Sequence, residues 1–89
     1  MAGKPTVPLA MIRRKLREVL AIRPGYGQTE KQLLEFVNEL AGGSVSLEEL
    51  RAATEWNLGE RLIRSSYDEE SEETLWYITK DGLAKQQIT

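Results

Sequence analysis

The residues of this 89-residue chain whose types could act on another molecule fall into two groups of opposite charge. Lys4, Arg13, Arg14, Lys15, Arg17 and Arg23 stand against a single acid, Glu18, within the first 23 residues, leaving +5. Residues 24–89 carry six basic and thirteen acidic side chains, leaving −7. Basic side chains at the first density suit a row of phosphates, because they replace the counterions condensed on a polyanion. The acids are densest at Asp68, Glu69, Glu70, Glu72 and Glu73. Clustered carboxylates can bind Ca²⁺ or Mg²⁺, but this run lacks the alternating ligand spacing and central glycine that wrap a chain round an ion. No metal and no other cofactor is expected.

With neither histidine nor cysteine, the chain has no imidazole or thiolate for structural zinc, no thiol nucleophile, no disulfide and no histidine-based triad. No glycine-rich phosphate loop follows a strand, so an enzyme is not expected. The apolar residues near the N-terminus are interleaved with charges rather than gathered into a signal peptide, and no stretch is long enough to span a bilayer. The expectation is a cytoplasmic protein without membrane contact. A chain of this length, 40% hydrophobic and 29% charged, supports one soluble domain around one modest core.

The spacing of apolar residues predicts the elements that hold these charges. Residues 1–8, with Pro5 and Pro8, read as a flexible N-terminal arm; residues 9–83 form the domain, and 84–89 a C-terminal tail with at most a short helical turn before it. Leu9, Ile12, Leu16, Val19 and Leu20 make the stripe of a first helix ending near Ile22, with Arg14, Arg17 and Glu18 off it. After a turn containing Pro24, Gly25, Tyr26 and Gly27, Thr29 and Gln32 match a capping box. Leu33, Phe36, Val37, Leu40 and Ala41 give the second helix its core face, and Gly42-Gly43 ends it. Ser44-Val45 reads as a short extended connector. Ser46 and Glu49 repeat the capping box, and Leu47, Leu50 and Thr54 form the inner stripe of a third helix ending near Gly59. Trp56 lies off that stripe, in reach of the hairpin. Residues 62–67 and 74–79 then read as antiparallel strands round a six-residue acidic loop, long and self-repelling enough to have a mobile tip.

Helix, strand, turn and strand after two capped helices resemble the winged helix-turn-helix superfamily. Tyr77, Ile78, Thr79, Lys80, Asp81 and Gly82 resemble the strand end of MarR-like and ArsR-like regulators. The basic first helix, the Pro24-Gly25-Tyr26 turn, the Thr29 start and the segment 46–56 are similar to small winged-helix proteins of Mu-like phages and prophages. The resemblance covers roughly nine-tenths of the chain, from Leu9 onward. It implies an α+β fold, a three-helix winged helix-turn-helix with a C-terminal two-stranded β-hairpin wing, and it implies DNA binding.

Double-stranded DNA would call for basic residues on the third helix and on the wing. Here the third helix presents Glu48, Arg51 and Glu55 outward, and the wing tip is acidic. The expected nucleic-acid contacts are therefore Arg13, Arg14 and Arg17 at the basic end, with Arg51. The alternative is a basic protein partner docked on Glu48, Glu55, Asp68, Glu69, Glu70, Glu72 and Glu73, or self-association of the +5 and −7 regions into a homodimer. Trp56, Trp76 and Tyr77 have only Arg61 and Arg64 as basic neighbours, so packing is expected of them rather than base stacking; Tyr67 and Tyr77 suit a cross-strand pair.

Overall fold

The computed structural model describes residues 7–88; residues 1–6 of the expected 1–8 arm, Lys4 included, lie outside the described residues, as does Thr89, while Val7 of that arm is buried in the core. α1 (Leu9–Ile22) starts after Pro8, whose carbonyl accepts the Met11 and Ile12 amides at 3.0 and 3.1 Å. Ile12, Leu16, Val19 and Leu20 are buried against α2 (Glu30–Ala41), α3 (Leu47–Gly59), strand β2 (Glu73–Ile78) and α4 (Lys80–Ile88). Being covered on several sides, α1 buries a wider arc than a one-sided stripe. Arg17 falls inside that arc, contrary to its expected outer position, while Leu9 is exposed.

Both expected capping boxes form. Thr29 Oγ1 accepts the Gln32 amide at 3.2 Å and the Gln32 side chain accepts the Thr29 amide at 2.9 Å; Ser46 and Glu49 repeat this at 3.1 and 2.9 Å. Gly42, at φ +63°, takes the left-handed position that ends α2. On α2 only Leu33 and Val37 are fully buried, and Phe36 and Leu40 are exposed instead of core, because α2 packs mainly on α1. α3 turns inward Leu50, Ala53, Thr54 and Asn57, a helical repeat written mostly in small or polar residues, so Leu47 sits outside.

The hairpin pairs β1 (Ile63–Asp68) with β2 in register from Ile63↔Ile78 to Asp68↔Glu73. Its loop has four residues rather than six, and Asp68 closes it by accepting the Glu70 amide at 3.2 Å and the Ser71 hydroxyl at 2.8 Å. These bonds fold the acidic tip into a turn. Tyr67 faces Thr74, not Tyr77; Tyr77 faces Arg64, whose guanidinium lies 4.3 Å from its ring centre. The hairpin gains a further rung from Gln28, which exchanges backbone hydrogen bonds of 3.0 and 2.8 Å with Trp76. In the connector before α3, Ser44 has β-bridge geometry, and the amide and carbonyl of Val45 bond the Asn38 side chain at 2.6 and 3.1 Å.

Thr79 joins the wing to α4. Its hydroxyl donates to the Arg61 carbonyl at 2.8 Å and accepts the Gly82 amide at 3.0 Å, and its amide donates to Leu62 at 3.1 Å. This cap carries the chain into a fourth helix where only a turn was expected. Gly82 lies so close to the Leu62 carbonyl that a Cβ there would overlap it and would sit 2.7 Å from Ile78 Cγ1; a Cβ on Gly59 meets nothing within 4 Å. Urea denaturation should therefore find Gly82→Ala destabilised by about 3 kcal/mol. Gly59→Ala should be neutral or more stable by about 0.5 kcal/mol. Equal effects at the two sites would contradict the close packing of α4 on residue 62.

Candidate nucleic-acid interface

Arg13 and Arg17 lie one turn apart on α1, and Asn57 of α3 bridges them. Its amide donates to the Arg13 carbonyl at 3.2 Å and to the Ala53 carbonyl at 3.0 Å, while its oxygen accepts Arg17 Nη1 at 2.8 Å. Arg17 Nε donates to Gln86 Oε1 of α4 at 2.9 Å. Arg17 is only 6% exposed and forms no ion pair among the described residues. Burial, and secondarily the charge of Arg14, lower its pKa from the ordinary guanidinium value.

Arg17 is therefore a tie between three helices and does not stand on the open contact face expected for it. Arg14 is exposed, and Arg13 lies over Trp56 with its guanidinium carbon 4.6 Å from the ring centre. Trp56 thus packs toward α1 and not on the hairpin. Pro8, Met11, Arg13, Arg14, Arg17 and Trp56 line one open depression of about 490 Å³. A basic, aromatic edge exists after all, assembled from α1 and α3 residues some forty positions apart.

The outer face of α3 is different in kind. Glu48, Ala52 and Glu55 are exposed along it. Arg51 leans toward α2, where its Nε and Nη2 donate to the Glu30 carboxylate at 2.8 and 3.0 Å. The hydrogen bond from Arg51 holds the Glu30 carboxyl below its ordinary pKa, and Glu30 in turn raises that of Arg51. Glu69, Glu70, Glu72 and Glu73 are exposed at the hairpin end, with Asp68 half-buried beneath them. Among the described residues no group of three or more acidic side chains converges on a point suited to a metal ion.

No family model matches the chain. No curated protein matches it either. Among solved structures, an apo-form double mutant of Lactococcus lactis ZitR is similar over 90% of this chain, with a TM-score of 0.71 at 20% identity. The fold is a winged helix. In it α2 and α3 form the helix-turn-helix, the β1–β2 hairpin is the wing, and α4 is added to the three expected helices. The chain spans 55% of the length of that ZitR chain.

Sequence reasoning missed Asn57 and misplaced Arg17 and Trp56. The signal available for Asn57 was its position seven residues after Leu50 and four after Ala53, in line with the buried face of α3. The Arg51–Glu30 pair also has a measurable consequence. Because the folded carboxyl is depressed, its contribution to stability is present above the ordinary carboxylate pKa and fades as pH falls through the depressed one. A carboxyl-detected NMR titration should place the Glu30 midpoint below the ordinary glutamate value, and Arg51→Gln should raise it toward that value. A Glu30 midpoint indifferent to Arg51→Gln would contradict the pair.

Proposed function

We propose that this winged helix is a non-enzymatic DNA-binding domain of a regulator or accessory protein, and that its contact with double-stranded DNA is weak unless a partner or further domain adds to it. The observation that carries this reading is the division of charge. Arg13, stacked on Trp56, and Arg14 beside it form no ion pair among the described residues, whereas the outer face of α3 carries Glu48 and Glu55 and its one arginine is already paired with Glu30. Phosphates supply most of the nonspecific affinity of such domains, so DNA approaches along the α1 edge, with Arg17 contributing charge from below the surface. Arg51 joins only by exchanging Glu30 for a phosphate. Among the described residues no helix is long and apolar enough to cross a membrane, and a cytoplasmic location is part of the same proposal.

The exposed acids favour a second reading, in which Glu48, Glu55 and the wing residues Asp68, Glu69, Glu70, Glu72 and Glu73 dock a basic protein. Fluorescence anisotropy with a random duplex at low and moderate salt separates the two. Binding in the micromolar range should weaken at least tenfold in the Arg13→Gln/Arg14→Gln variant, with the slope of log K against log salt reduced by about 2. Glu30→Gln, which releases Arg51, should tighten it. Absence of any binding at low salt favours the basic partner, and binding unchanged by the double replacement rules out the α1 edge.

A further inference from the structure

Four of the eight large hydrophobic side chains exposed among the described residues gather on one flank of the α1–α2 pair. They are Ile22 (69% exposed), Tyr26 (49%), Phe36 (42%) and Leu40 (40%). All four line a single open groove of about 500 Å³, with Arg23 on the α1 side and Glu39 on the α2 side. Exposed apolar residues scattered singly are ordinary on a protein surface; a contiguous group rimmed by charge marks an interaction site.

We propose that this groove is where a second copy of the chain docks, forming a two-fold homodimer in which Arg23 of each copy faces Glu39 of the other across a shared apolar centre. The occupant is argued from self-complementarity. A two-fold axis brings a surface against itself, so every charge on it needs its opposite on the same patch. This patch has one cation on one wall, one anion on the other and an apolar strip between, so a half-turn sets unlike walls together. Neither Arg23 nor Glu39 has an ion-pair partner among the described residues. Arg23 is held at the rim by Tyr26, with its guanidinium 4.5 Å from the ring centre. A purely acidic or purely basic partner would leave one rim charge facing its like.

The dimer does not depend on DNA binding. Ile22 follows Arg13 by nine residues, about two and a half helical turns, which puts the groove on the opposite side of α1 from the basic edge. Pairing through the groove therefore leaves both basic edges open.

Sedimentation velocity on the full chain tests it. The wild type should show a concentration-dependent species of twice the 10.1 kDa chain mass. Phe36→Glu, Arg23→Glu and Glu39→Arg should each halve that mass at the same concentration with helical circular dichroism unchanged, and the R23E/E39R double variant should restore the dimer. A wild type that stays monomeric through the micromolar range overturns the proposal. So does a dimer indifferent to both single charge reversals, or a double variant that remains monomeric.

Discussion

The hydrogen bond between the Arg17 guanidinium and the Asn57 side chain, 2.8 Å long and buried, fixes how the helices of this domain meet. Asn57 is completely enclosed, and each of its polar atoms is used: the oxygen by Arg17, the nitrogen by the carbonyls of Arg13 and Ala53. An enclosed polar group deprived of its partner costs on the order of 1–3 kcal/mol, a large share of what holds a small domain together. The crossing of α1 and α3 is thereby fixed, and with it the place of Trp56 against Arg13. Through Gln86 the same guanidinium draws in α4.

The acceptors that hold Arg17 are neutral amides, so its charge is solvated by the protein without being cancelled. That charge lies under Arg13 and Arg14 in one depression, and adds to theirs. On α3 the reverse holds, because Arg51 is cancelled by Glu30 while Glu48 and Glu55 form no ion pair among the described residues. A winged helix with this distribution has an inverted electrostatic plan: the framework helix is positive where the helix-turn-helix surface and the wing are negative. The proposed DNA contact and the proposed dimer groove then occupy opposite sides of the same helix. Two weak edges in one assembly would act together, since joining modules raises their effective concentration without any new contact.

The parts of the fold legible in the sequence are those with local causes. Both capping boxes depend on residues three apart, and the hairpin depends on neighbouring runs of β-branched and aromatic residues, so these elements formed where composition indicated. What was not legible depends on contacts between distant residues. Arg17 looked solvated because a helix stripe read in isolation assumes one buried side, whereas α1 is covered by several elements. Asn57 occupies an inner position of α3 that apolar counting passes over, which rotated the inferred face and put Leu47 inside. Phe36 and Leu40 looked like core because they continue a stripe that has no facing layer at that flank. The charged candidates were visible as residue types; their pairing states were not, since the Glu30–Arg51 bridge joins residues twenty-one apart.

The central claim, that DNA meets the α1 edge and not the outer face of α3, is tested most directly by mapping amide and indole NMR shifts during titration with a short duplex at low salt. The proposed interface requires the largest shifts at residues 10–17 and at the Trp56 indole N–H, with residues 48–55 and 69–73 little changed. Shifts concentrated on Glu48, Ala52, Glu55 and the wing tip would contradict it.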